Sequence, residues 1–231
     1  MNRPRLDLWY RLGRLLARIF LPTFGSLTVE GRENVPSSGP IIIAANHQSE
    51  MDPAVMVYAI DRPVWFMAKR GLFAGPIASY FLRSVHVFPV DRDGRDFDAL
   101  HWAQDRLDDG SALLVFPEGT RSPGHLSEPV DGLAYIALRT GVPVLPVAIT
   151  GTEHIPMIRI PFHFRKMKVV IGEPFSFPPR TSRMDRTLLH SMSEEVMKHI
   201  AELLPPAYRG VYAEPRHEPS LTEGEPDSGD E

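Results

Sequence analysis

Ile41-Ile42-Ile43-Ala44-Ala45, followed directly by Asn46-His47-Gln48-Ser49-Glu50-Met51-Asp52 and then Pro53, passes from unbroken apolar residues into a polar cluster and a helix-starting proline. A short run of consecutive apolar, largely β-branched residues reads as a strand buried on both faces, the kind found inside parallel sheets. Asp52-Pro53 reads as an N-cap followed by a first-turn proline, which predicts a helix over 53–60. Strand, polar loop and helix together open a βαβ unit. The polar residues fall at the carboxyl end of the strand, where open α/β sheets gather their ligands.

Outward from this stretch the same alternation repeats. Apolar runs at 27–30, 64–68, 85–90, 112–116, 144–149 and 167–171 read as strands, and helical periodicities at 97–109, 130–140 and 185–204 read as helices. Asp96 stands as a cap for the second helix, and Gly110 and Gly141 follow two of them as stops. The expectation is an α/β fold: a single domain with a mixed sheet of about seven strands flanked by helices and an N-terminal amphipathic helix. Pro146, inside the run 142–149, demands an edge strand or a bulge because it cannot donate to a ladder. Residues 72–82 carry Phe73, Pro76, Ile77, Tyr80 and Phe81 without a charge, so they read as core or as a wall for something greasy.

The two ends differ from the middle. Leu8, Trp9, Leu12, Leu15, Leu16 and Ile19 share one helical arc while Arg11, Arg14 and Arg18 share another, so residues 1–25 read as a basic amphipathic segment. It can lie at a membrane interface with its arginines near anionic phosphates, or dock as an ordinary surface helix. Residues 205–231 read as a disordered acidic tail, with seven acids against Arg216 alone from 214 onward. The division is therefore 1–25 interface helix, 26–204 domain and 205–231 tail.

Several chemistries are excluded by inspection. The chain has no cysteine, which removes disulfides, thiolate metal sites and thiol nucleophiles. No two of its 17 glycines are two apart, no Gly-x-Ser-x-Gly elbow or Walker lysine occurs, and no two of its nine histidines lie within five residues. No apolar stretch reaches the length of a membrane span, and the arginines interrupt any secretory signal, so a cytoplasmic protein is expected.

What remains is a set of polar clusters at strand ends. His47 and Asp52 can pair as base and orienter: a carboxylate on one imidazole nitrogen leaves the other free to take a proton from a hydroxyl. Asp52 can equally be a plain helix cap. Arg92, leaving the strand that ends Phe88-Pro89-Val90, has the fork to hold a phosphate or can pair with a neighbouring aspartate. Phe116-Pro117-Glu118-Gly119-Thr120-Arg121-Ser122 brings an acid, a glycine, a hydroxyl and a cation into one turn.

Asn-His-x4-Asp, Phe-Pro-Val-Asp-Arg, Phe-Pro-Glu-Gly-Thr-Arg-Ser and Val-Pro-Val-Leu-Pro-Val-Ala-Ile, in that order over about residues 26–175, resemble the glycerolipid acyltransferases, and among them the 1-acyl-sn-glycerol-3-phosphate acyltransferases. The resemblance implies transfer of a fatty acyl group from acyl-CoA or acyl-carrier protein to the free hydroxyl of a lysophospholipid, without an acyl-enzyme and without a metal or nucleotide cofactor. It implies His47 as general base and Asp52 as its orienter. Glu118, Gly119 and Arg121 would bind the glycerol phosphate of the acceptor with Arg92 assisting, and Thr120 or neighbouring amides would steady the oxyanion. Pro146 and residues 72–82 are candidates for lining the acyl path. A peripheral or monotopic place on the cytoplasmic face of a membrane is implied, with no nucleic acid as partner.

One departure matters. Where many relatives carry a Phe-Lys-x-Gly-like basic element, this chain has Pro129-Val130-Asp131-Gly132, and no Lys or Arg lies between Arg121 and Arg139. An acceptor with another head group therefore stays open, as does a non-catalytic lipid-binding protein of the same fold. The net charge of −4 hides a split: residues 214–231 carry −6, the rest carries +2, and residues 1–22 alone carry +4. A mildly basic body suits phosphorylated substrates on an anionic surface.

Overall fold

In the computed structural model the described residues are 4–23, 25–91, 96–153, 165–177 and 185–213. Seven strands form one sheet: β1 (Gly25–Glu30), β2 (Ile41–Ala45), β3 (Val64–Lys69), β4 (Val87–Val90), β5 (Ala112–Val115), β6 (Val144–Thr150) and β7 (Arg165–Ile171). Their spatial order is β1-β7-β6-β2-β5-β3-β4. The five strands β6, β2, β5, β3 and β4 run parallel; β7 is antiparallel to β6 and β1 parallel to β7. All five parallel strands therefore end on one edge of the sheet, and β2 sits in their midst, fully buried along its length. The single-domain α/β fold with a seven-stranded mixed sheet is as the apolar runs indicate.

Alternation along β2 assigns the two faces. Ile41, Ile43 and Ala45 pack with Met51, with Val55, Met56 and Ala59 of α2 (Asp52–Ala59) and with Tyr10 and Leu21 of α1 (Pro4–Thr23). Ile42 and Ala44 pack with Ala103 and Leu107 of α4 (Phe97–Asp108), Leu133 and Ile136 of α5 (Gly132–Thr140) and Val196 and Ile200 of α6 (Arg186–Leu203). A three-layer sandwich results, because a strand that is apolar at every position needs a helical layer on each side. Burying one such leucine or isoleucine contributes about 1.5–3 kcal/mol.

Some boundaries move, each for a local reason. The fourth strand starts at Val87, not 85, because Val85 ends α3 (Pro76–Ser84) and His86 turns into the left-handed region at φ 66°. The sequence marks this third helix only as part of an uncharged stretch, core or a wall for something greasy. Its Ile77, Tyr80 and Phe81 are exposed, so it is not core. Pro146 lies in an interior strand rather than at an edge. The pairs Val147–Ile171 and Val144–Phe175 leave two residues between them on the β6 side and three on the other, so the partner chain bulges opposite Pro146. Residues 205–213, assigned above to the tail, are folded onto the body: Leu126 N donates to Tyr208 O, and Tyr208 and Tyr212 pack on the α6 face. The acidic stretch from 214 lies outside the described residues.

The N-terminal helix docks by its arginine side. Tyr10 is buried, its ring stacked on His86 at 4.4 Å and its hydroxyl accepting from Val64 N. Arg14 and Arg18, together with Arg32, converge on Asp61. The apolar arc faces outward: Leu8, Trp9, Leu12, Leu15, Leu16, Ile19 and Phe20 are all exposed. The arginines expected near phosphates are thus mostly occupied by a carboxylate, while the greasy face is left uncovered.

Candidate active site

At the end of β2 the chain leaves the sheet at Asn46. The Asn46 amide bridges to β6 in both directions, donating to Ile149 O at 2.9 Å and accepting from Ile149 N at 2.6 Å. This fixes where the next residue emerges. His47 stacks on Phe116, the residue following β5, with ring centroids 4.1 Å apart and its side chain 12% exposed. Its Nδ1 lies 2.8 Å from Asp52 Oδ2.

Asp52 is fully buried and does not cap its helix in the ordinary way. It is the first residue of α2, and its Oδ2 accepts from the backbone N–H groups of Gln48 at 2.6 Å and Ser49 at 2.8 Å as well as from the imidazole. The carboxylate therefore folds the loop 47–51 around itself while holding the ring. Its Oδ1 accepts from Thr152 Oγ1 at 2.6 Å. A buried charge tolerated in this way needs donors on both oxygens. With Nδ1 committed to a carboxylate, Nε2 is the imidazole nitrogen left to exchange a proton.

The turn after β5 wraps the backbone of the same histidine. His47 N donates to Glu118 Oε1 at 2.7 Å, and Ser122 N donates to His47 O at 2.8 Å. Glu118 Oε2 accepts from Ser127 N at 3.1 Å and Ser127 Oγ at 2.9 Å. Glu118 is buried, and both of its oxygens serve the protein itself. Gly119 makes the turn possible. Its φ of 67° suits glycine, and a Cβ there would stand 3.2 Å from Val130.

Arg121 is exposed at the mouth and pairs with Glu50 at 2.6 Å. Thr120 lies beside it, also exposed. His47, Asp52, Glu118, Gly119, Thr120 and Arg121 are thus brought together at one sheet edge. Arg92 lies outside the described residues. Its flank is built: Asp96 accepts from Asp91 N at 2.8 Å, caps α4 through Ala99 N at 2.9 Å and pairs with Arg70 at 3.2 Å. Burial raises the Asp96 proton affinity, but these donors outweigh it and hold the carboxyl below its usual range.

Pro146 is not brought to the site. A Cβ at Gly172 would meet its ring at 3.0 Å and Leu203 of α6 at 3.1 Å, which places Pro146 under α6, on the face opposite α2 and Asp52. Val144 and Ala148, two residues to either side of it on β6, face that way too, so no repacking of one side chain turns it toward the imidazole. Thr152 and Ser127 were not singled out from the sequence. Each lies outside the polar clusters, and only the topology carries it to Asp52 or Glu118.

A buried carboxylate holds an imidazole at the carboxyl edge of a parallel sheet, beside an acid-glycine-threonine-arginine turn, an arrangement with the chemistry to accept and return a proton. The Acyltransferase family model matches residues 26–150, and the chain belongs to that family. It is 34% identical over 148 residues to the chloroplastic 1-acyl-sn-glycerol-3-phosphate acyltransferase LPAT1 of Arabidopsis thaliana, covering 62% of this chain and 41% of that one. It is 29% identical over 190 residues to the 1-acyl-sn-glycerol-3-phosphate acyltransferase of Bacillus subtilis, covering 80% and 92%. The crystal structure of PlsC, the 1-acyl-sn-glycerophosphate acyltransferase from Thermotoga maritima, superposes with a TM-score of 0.65 at 34% identity, covering 86% of this chain and 78% of that one. The matched part spans less than half of the chloroplast proteins, 41% in Arabidopsis and 46% in Brassica napus.

Proposed function

We propose that this chain transfers a fatty acyl group from acyl-CoA or acyl-carrier protein to the free hydroxyl of 1-acyl-sn-glycerol 3-phosphate, giving phosphatidic acid. The observation that carries the reading is the 2.8 Å contact between His47 Nδ1 and the buried Asp52 carboxylate. The acceptor hydroxyl oxygen attacks the thioester carbonyl as His47 Nε2 takes its proton. The C–O bond forms, the tetrahedral intermediate collapses, the C–S bond breaks, and the imidazolium returns its proton to the leaving thiolate. Asp52 keeps the ring in the required tautomer and stabilises the imidazolium. No acyl-enzyme is formed, and no metal or nucleotide cofactor takes part.

In this reading Arg121 binds the acceptor phosphate and exchanges Glu50 for it, with Arg92 as its partner. Gly119 N and Ser122 N are engaged with Phe116 O and His47 O. Among the described residues nothing engages the N–H groups of Thr120 and Arg121, which makes them the candidates for the oxyanion. Glu118 acts by holding His47 rather than by touching phosphate, which a carboxylate would repel.

We assign the working surface to a membrane, peripherally and on its cytoplasmic face, where both thioester donors are found. No helix among the described residues is long and apolar enough to cross a bilayer. The exposed apolar arc of α1 and the exposed Ile77, Tyr80 and Phe81 of its neighbour α3 support an in-plane contact. The lack of any Lys or Arg between Arg121 and Arg139 favours a second reading, the same transfer to a lysolipid with another head group.

The test is a panel of lysolipids offered with acyl-CoA and with acyl-carrier protein to the purified protein, products read by mass spectrometry. Phosphatidic acid as the principal product supports the first reading, and acylation of a different lysolipid in its place supports the second. No acylated product from any pair contradicts both.

A further inference from the structure

Thr152 completes the shell of the carboxylate that orients His47. It is fully buried, and its hydroxyl donates to Asp52 Oδ1 at 2.6 Å across 100 residues of sequence. Among the described residues no other donor reaches Oδ1, whereas Oδ2 has three: the imidazole and the N–H groups of Gln48 and Ser49. A carboxyl group rotates readily about its last bond, since that torsion is broad and two-fold. Three donors on one oxygen leave the plane of the group free to tilt; a fourth on the other oxygen sets it. The tilt decides whether Oδ2 lies in line with Nδ1, and so where Nε2 points.

The backbone delivers Thr152 to this place by a turn with little alternative. Gly151 has φ 82°, and a Cβ there would stand 2.1 Å from Lys166 O of β7. Only glycine lets β6 end so close to its neighbour and throw the next residue back beneath the start of α2. The Asn46–Ile149 pair of bonds fixes the relation between β2 and β6 from the other side. The ends of the two strands are therefore tied at two points, and one of the ties carries the charge.

We infer that Thr152 is a positioning residue for acyl transfer: its hydroxyl locks the Asp52 carboxylate in the plane that aims His47 at the acceptor. This rests on His47 acting as the base. Replacing the hydroxyl by a methyl group keeps the volume and the β-branch and removes the donor alone.

The experiment compares Thr152→Val, Thr152→Ser and Asp52→Asn with the combined Thr152→Val/Asp52→Asn variant, with kcat, KM and thermal unfolding measured for each. Thr152→Val is expected to lower kcat about tenfold with KM for both substrates within about twofold, as loss of one charge-assisted hydrogen bond predicts. Thr152→Ser is expected to restore kcat to within about twofold, and Thr152→Val is expected to have little further effect once Asp52 is Asn, as residues acting through one another behave. Thr152→Ala carries the same expectation should valine prevent folding. Wild-type kcat in Thr152→Val, failure of serine to restore it, or a loss that adds in full to that of Asp52→Asn would overturn the proposal. His47→Ala, assayed alongside, separates the two claims: retained activity there removes the base reading itself, whereas an inactive His47→Ala beside a fully active Thr152→Val removes only the role of Thr152.

Discussion

The backbone amide of His47 donates to the carboxylate of Glu118 at 2.7 Å, so the acid of the turn after β5 holds the histidine at the end of β2 by its main chain, not by its ring. The other oxygen of Glu118 is taken by Ser127 N and Oγ. Both oxygens accept. Glu118→Gln therefore sets an NH2 group against an N–H whichever way the amide lies, and one bond is lost with a repulsive contact in its place. Stability is expected to fall by about 1–3 kcal/mol in urea unfolding, with activity falling as well because His47 shifts. Unchanged stability would mean that the amide is accommodated by a rearranged turn.

Asp52→Asn removes the charge that stabilises the imidazolium and puts an amide where both carboxylate oxygens accept from a shell of four donors. Activity is expected to drop by about a hundredfold or more, consistent with the worth of a positioned acid–base pair. Initial rates at saturating donor and acceptor check this. A drop confined to KM would assign Asp52 to binding.

Asp96 joins the Arg92 flank to α4 by accepting from Asp91 N and Ala99 N and pairing with Arg70. Asp96→Ala should cost about 1–2 kcal/mol, as loss of an N-cap does. The pH dependence has a fixed sign. The Asp96 carboxyl lies below its usual range in the fold, so its stabilisation is present above the unfolded aspartate value, near 4, and is lost as pH falls through the lower folded value. Thermal unfolding measured from neutral pH down past pH 4 should therefore show a shallower decline in Asp96→Asn than in the parent protein.

The helix α1 gives the prediction that departs most from a reading of its sequence as a basic anchor. Arg14 and Arg18 face Asp61, and the exposed side is apolar. Vesicle cosedimentation should consequently survive high salt, which screens exposed charges but leaves apolar insertion intact. Leu12→Glu with Leu16→Glu should abolish it, while Asp61→Asn should loosen the docking of α1 without weakening the apolar contact. Binding lost at high salt would return the anchor to the arginines.

The central part of the fold is legible because its signals are local. Ile41–Ala45 is apolar at every position and ends in a polar cluster, so a two-sided strand and its functional end can both be read from the chain. His47 and Asp52 are five residues apart and meet for the same reason. Four features escape such a reading. The third helix escapes because its periodicity is masked by apolar residues on its exposed side, Ile77, Tyr80 and Phe81 among them. The face of Pro146 follows from a strand's place in the sheet, which no residue near it encodes. Thr152 and Ser127 are single hydroxyls in unremarkable surroundings, and only the crossing of β6 and the turn after β5 brings them to their carboxylates. The docking side of α1 was hidden by a general expectation, that arginines face solvent, which one buried tyrosine and one aspartate reverse.

The most direct measurement is phosphatidic acid formation from acyl donor and 1-acyl-sn-glycerol 3-phosphate by the parent protein and by His47→Ala, with thermal unfolding recorded for both. Product from the parent, none above background from His47→Ala, and coincident unfolding curves are the predicted result. Equal product from a folded His47→Ala variant would contradict the account.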